Sequence, residues 1–72
     1  MRPIDRIIIL MKEKGINKRR LALDLGISPG HFADWESGKS KPTADRIVTI
    51  AKYFGVSTDY LLGLTENPWP YE

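Results

Sequence analysis

Cysteine is absent from these 72 residues, and histidine occurs once, at position 31. A disulfide framework is therefore impossible, and a cysteine-based zinc site is excluded. One imidazole among scattered carboxylates leaves no ligand set for a structural metal, and no cofactor is expected. Long hydrophobic runs are missing too. The longest, residues 7–11 (IIILM), falls far short of the roughly 20 residues that a membrane span needs. The opening MRPID carries an acid close to its base, with no small-residue cleavage site downstream, and does not read as a signal peptide. A chain without cysteine or an export signal is expected in the cytoplasm. From residue 53 onward there is no base at all, only Asp59, Glu66 and Glu72.

What is present is a soluble globular composition, 42% apolar and 28% charged, in a length that allows one small domain. Chains this short need efficient helix packing, a staple or a partner subunit, and the staples are already excluded. The net charge is only +2, but all 11 bases lie in residues 1–52. Lys12, Lys14, Lys18, Arg19 and Arg20 crowd together with Glu13 as the only acid among them, and Lys39 and Lys41 form a second cluster. A basic body with an acidic end points to a polyanionic partner.

Glycines cut the chain into blocks of helical periodicity. Ile4, Ile7, Ile8 and Met11 recur at helical spacing, and Gly15 follows where a left-handed cap belongs. Asn17 caps a second helix, Lys18 to Leu25, with Leu21, Ala22 and Leu25 as its apolar stripe. Ser28 then Pro29 make an N-cap and first helical residue for a third helix running to about Glu36, with Phe32 and Trp35 facing inward. Thr43 caps a longer helix bearing Ile47, Ile50, Ala51 and Phe54. Ser57 caps a last short one over residues 58–62. No strand alternation occurs. The expectation is an all-α domain of five short helices over residues 1–64. Residues 65–72 (TENPWPYE) form a tail whose prolines forbid helix.

Helix, a break at Gly26, Ile27 and Ser28, then helix is the spacing of a helix-turn-helix, whose second helix suits the major groove of DNA. The longer string is more specific. Gly15, Ile16 and Asn17, then Leu21 and Ala22, then Leu25, Gly26, Ile27 and Ser28, followed by Phe32, Trp35, Glu36, Gly38, Lys39, Lys41 and Pro42, stand in order. Ile47, Ile50, Ala51, Phe54, Gly55, Val56 and Ser57, then residues 59–63 (DYLLG), complete it. This pattern resembles the Cro/phage-repressor type of helix-turn-helix domain, the XRE family, over about residues 4–64.

The resemblance implies a lambda-repressor-like fold and double-stranded DNA as partner. It makes Asn17, Lys18 and Arg19 phosphate contacts at the second helix, with Lys39, Ser40 and Lys41 on the other phosphate stretch. Base readout falls on Ser28, Pro29, Gly30, His31 and Asp34, where the family usually has Gln, Ser, Thr, Asn or Arg. Pro29 and Gly30 offer no side-chain donor, His31 can donate to guanine, and Asp34 can accept from cytosine while repelling phosphates. Modest specificity, or specificity from DNA shape and dimer spacing, is the consequence. The family also commonly carries arginine at the position of Met11, paired with the glutamate corresponding to Glu36. Glu36 is expected to turn to a backbone N–H, Lys12 or Lys39, or to stay hydrated.

His31 and Asp34 at i, i+3 lack a nucleophile or a third ligand, so an enzyme is not expected. Phe32, Trp35 and Phe54 read as core, not as a base-stacking platform. The expected protein is a transcriptional regulator, most simply a repressor, acting as a homodimer through Thr58, Asp59, Tyr60, Trp69 and Tyr71, with no small-molecule ligand. The competing expectation, from Pro29, Gly30 and Asp34, is a protein-interaction adaptor or antitoxin-like module on the same scaffold.

Overall fold

The computed structural model describes residues 1–69; Tyr71, one of the expected interface residues, lies outside them. Five helices follow in order: α1 Pro3–Lys14, α2 Lys18–Leu25, α3 Gly30–Ser37, α4 Ala44–Phe54 and α5 Thr58–Leu61. No strand occurs among the described residues. The caps explain the boundaries. Asn17 Oδ1 accepts from the Arg20 N–H at 2.8 Å, Thr43 Oγ1 from Arg46 at 3.3 Å and Ser57 Oγ from Tyr60 at 3.0 Å. Each satisfies a first-turn donor that the helix cannot satisfy itself.

At the third helix the start expected at Ser28 and Pro29 falls one residue later, at Gly30, with Pro29 as the N-cap. Pro29 has helical dihedrals (φ −56°, ψ −25°), and Ser28 Oγ accepts from the Gly30 N–H at 3.3 Å. Between α2 and α3 the chain reverses at Gly26, whose φ of +68° is a conformation that costs a side-chain-bearing residue about 1 kcal/mol or more. Ile27, just after it, is buried and fills the angle between the two helices.

The core draws one fully buried large side chain from every helix: Ile7, Leu21, Phe32, Ile50 and Leu61. Each such side chain contributes about 1.5–3 kcal/mol on burial, which is how so short a chain holds together without a staple. Trp35 packs edge-on against Phe32 at 5.1 Å between centroids and is itself buried. Two expectations shift. Phe54 and Leu25 are half-buried at the margin of the core rather than inside it, whereas Leu10 is buried. Both sit in the last turn of their helices, where the apolar face runs out of neighbours.

Arg6 is the charged residue that sequence reasoning did not place in the interior. It is 5% exposed. Its guanidinium lies 4.3 Å above the Tyr60 ring and donates to the Thr65 carbonyl at 3.3 Å and to Glu66 Oε1 at 3.1 Å. The Ser57 N–H donates to the Pro68 carbonyl at 2.8 Å. Residues 65–68 are thereby strapped across α1 and α5, while Trp69 remains 65% exposed.

Candidate nucleic-acid interface

The first turn of α2 displays Lys18 and Arg19 in an exposed position. Asn17 spends its side-chain oxygen on the cap, which leaves its amide N–H2 and the free backbone donors of the first turn as anion contacts. Arg20 is engaged along its own helix, Nε to Asp24 Oδ2 at 3.2 Å. Arg19, Lys39 and Lys41 form no ion pair among the described residues.

On α3, Ser28, Pro29, Gly30, His31 and Ala33 are exposed and Asp34 is half-buried. His31 Nδ1 lies 3.2 Å from the Ser28 carbonyl. A carbonyl can only accept, so Nδ1 carries the proton, and neutral His31 presents an acceptor at Nε2. Its ring stands edge-on to Trp35 at 6.2 Å between centroids.

The loop after α3 is held in register with that helix by one carbonyl. Asp34 O accepts from the Lys39 N–H at 2.9 Å, the Ser40 N–H at 3.3 Å and Ser37 Oγ at 3.2 Å. The fold thereby brings His31 and Asp34 together with Ser40 and Lys41 around one open groove of about 660 Å³. Its opposite wall is α4, contributing Thr43, Asp45, Arg46 and Thr49. These α4 residues were not among the sequence candidates. No local signal marks them, because they join the groove only through the placement of α4 opposite α3.

Glu36 finds none of its expected side-chain partners. Its carboxylate pairs with Lys18 of α2, because the first turn of α2 lies beside the last turn of α3, while the family's arginine position is filled by buried Met11. The backbone of the same turn is pinned from α1: Arg2 Nη1 donates to the Glu36 carbonyl at 2.9 Å and to that of Trp35 at 3.4 Å. Arg2 also holds Asp5, whose carboxyl is lowered below its ordinary value first by the Arg2 side-chain hydrogen bond.

The expected interface residues do not share one surface. Thr58 lines an apolar hollow with Pro42, Ala44, Ile47, Val48 and Leu62. Tyr60 and Trp69 line a different cleft with Leu10, Phe54 and Val56. Asp59 is exposed. Away from both, Tyr53 Oη donates to Asp24 Oδ2 at 2.5 Å. That bond lowers the Asp24 carboxyl, with help from Arg20, and raises the Tyr53 phenol. Among the described residues, no helix is long and apolar enough to cross a membrane.

Comparison with known proteins agrees with this architecture. The family model described as helix-turn-helix matches residues 7–61. The uncharacterized HTH-type transcriptional regulator YobD of Bacillus subtilis (strain 168) is 35% identical over 66 residues, covering 92% of this chain and 59% of that protein. The HTH-type transcriptional regulator AnsR of the same organism is 33% identical, over 83% of this chain and 52% of its own length. The HTH-type transcriptional activator BcrR of Enterococcus faecalis is 33% identical, over 81% of this chain and 28% of its own. The chain thus spans little more than half the length of the first two and less of the third. No solved structure matches. Capped helices around a Gly26 turn, a buried Phe32 and Trp35, and a family match over most of the chain lead to one statement: this chain belongs to the XRE-type helix-turn-helix family, which is non-enzymatic.

Proposed function

We propose that this domain binds duplex DNA and regulates transcription, laying α3 in the major groove with its phosphate contacts on either side. One observation supports the reading: α3 is met by an α2 cation at one place, Lys18 pairing with its Glu36, and by Lys41 at another, in the groove that Lys41 shares with His31 and Asp34. In this reading Asn17, Lys18 and Arg19 hold one phosphate stretch, and Lys39, Ser40 and Lys41 hold the other. Ser28, Pro29, Gly30, His31 and Asp34 meet base edges. Residues 1–64 are the binding unit, braced by residues 65–68, and the protein works in the cytoplasm.

A single eight-residue helix, α3, reads too few base pairs for a unique site, so we infer a homodimer spanning half-sites about 34–36 Å apart. Support comes from Val48 (42% exposed) and Leu62 (47% exposed), which with Pro42, Ala44 and Thr58 form an apolar surface next to the phosphate loop. Light scattering in the tens-of-micromolar range, with and without bound DNA, tests this; a monomer under both conditions removes it. Repression is the direction we favour, because a domain seated in the major groove blocks a promoter with no further contact. A reporter carrying the selected site decides between repression and activation.

DNA binding itself is tested by titrating labelled duplexes between about 50 and 200 mM salt, where each phosphate contact lowers the slope of log K against log salt by about 0.9. Lys39→Ala and Lys41→Ala are expected to weaken binding for all sequences and flatten that slope. A protein-interaction adaptor is the second reading, favoured by Asp34 and Asp45 in the groove and by donor-free Pro29 and Gly30. Absence of affinity for any duplex at the low end of that salt range would establish it over the first.

A further inference from the structure

We propose that Glu36 is a built-in competitor for the Lys18 ammonium. It holds that charge away from the DNA phosphate it would otherwise neutralise, and so limits affinity and its salt dependence. The inference rests on the DNA-binding reading above and specifies how that surface is tuned.

Four observations carry it. Lys18 opens α2 at the edge of the α3 face, and its Nζ is paired with Glu36 Oε1 of α3. The pair is accessible, with the side chains 49% and 34% exposed. Glu36 is the less movable partner, since the Arg2 guanidinium bonds the carbonyls of Trp35 and Glu36. Lys18 is also the only side chain bonded to the Glu36 carboxylate among the described residues.

From these the behaviour follows. An exposed pair contributes little stability and opens readily. When Lys18 moves to a phosphate, a bare carboxylate is left within a Debye length (about 10 Å) of the DNA backbone and repels it. Contact by Lys18 is therefore penalised twice, by the pair it leaves and by the charge it uncovers. The effect suits a readout surface poor in donors. Where Pro29 and Gly30 supply little base discrimination, holding down sequence-independent phosphate affinity preserves the ratio of specific to non-specific binding.

The test is a double-mutant cycle on fluorescein-labelled random-sequence duplex DNA, read by anisotropy across a salt series. It uses the full chain, Glu36→Gln, Lys18→Gln and the double variant, with thermal melts to confirm equal folding. Glu36→Gln is expected to tighten binding by about two- to fivefold per protomer, the strength of an exposed pair. It should also steepen the salt slope by up to about 0.9 per protomer. Lys18→Gln should weaken binding, and the double variant should bind tighter than Lys18→Gln by a smaller factor than Glu36→Gln gains over the unaltered chain, since only the repulsion and not the competing pair is then removed. Unchanged affinity and slope in Glu36→Gln would overturn the proposal. So would equal tightening with and without Lys18, which is a general charge effect. If the unaltered chain binds no duplex at low salt, the DNA reading fails and this inference with it. If it binds and weakens on Lys39→Ala while Glu36→Gln changes nothing, only the competitor fails.

Discussion

Removing the Arg6 side chain tests whether the strap over α1 and α5 is held by packing or by charge. Arg6→Ala deletes two buried methylenes, worth about 0.8 kcal/mol each, and the stacking on Tyr60, worth about 1 kcal/mol. It also deletes the bond to the Thr65 carbonyl, about 1.5 kcal/mol for a charged donor. Glu66 adds little, because its side chain is 93% exposed and its attraction to Arg6 is screened. Against these stands the burial of a guanidinium whose Nε has no partner, a cost of about 1–3 kcal/mol.

The balance predicts a loss of about 1–3 kcal/mol for Arg6→Ala, a shift of roughly 5–25 °C in a domain this size. Arg6→Met keeps the stem and removes the desolvated charge, so it should fall within about 1 kcal/mol of the unaltered chain. Glu66→Ala should be nearly neutral. Urea unfolding followed by far-UV circular dichroism measures all three, against a total of about 4–11 kcal/mol expected for this length. If Glu66→Ala costs as much as Arg6→Ala, the ion pair dominates and the reasoning from exposure is wrong. If Arg6→Met is as damaging as Arg6→Ala, charge and not packing holds the strap.

Gly26→Ala is expected to cost about 1 kcal/mol, purely from the left-handed backbone, since nothing lies within 4 Å of the added methyl. A loss several times larger by urea unfolding would mean the turn is tighter than its open surroundings indicate. The Tyr53–Asp24 bond gives stability a pH signature. With the carboxyl held below its ordinary 3.8, Asp24 stabilises above that value, and the benefit fades as pH falls through the lowered titration. With the phenol held above 10.0, the Tyr53 contribution is whole below that value and fades as pH rises through the raised one. The stability difference between the unaltered chain and Tyr53→Phe should therefore be a plateau at neutral pH that shrinks at both extremes. A pH-independent difference in chemical-unfolding free energy would assign the effect to packing alone.

The helices were legible because their signals are local. Asn17, Thr43 and Ser57 bond a backbone N–H three residues on, and the apolar periodicity that fills the core lies within single elements. Ser28 and Pro29, read only from their neighbours, put the start of α3 within one residue of Gly30. The phosphate loop was legible as a basic cluster, but its register against α3 depends on one carbonyl, that of Asp34, taking three donors, and no composition reveals that. Arg46 escaped notice for a related reason: its place in the groove is fixed by how α4 crosses α3, not by its own helix.

Two charge contacts were the least visible, and for one physical cause. Arg6 meets Glu66 across 60 positions and Lys18 meets Glu36 across 18. A long charged side chain has no periodicity that marks its partner, and its stem is at home in either apolar or wet surroundings. In Arg6 the stem won, and the guanidinium followed it under the Tyr60 ring. For Glu36, Met11 at the position where the family commonly has arginine left a backbone N–H, Lys12, Lys39 or water as the expected partners, and the structure supplies Lys18 instead. What sequence could not rank was which lysine would arrive. Lys39 is nearer along the chain, but the start of α2 lies beside the end of α3, and that packing relation chose Lys18. A residue assigned to phosphate by its position at a helix start is thus also the counter-ion of the recognition helix. Whether it can serve both roles is decided by the cycle between Lys18 and Glu36.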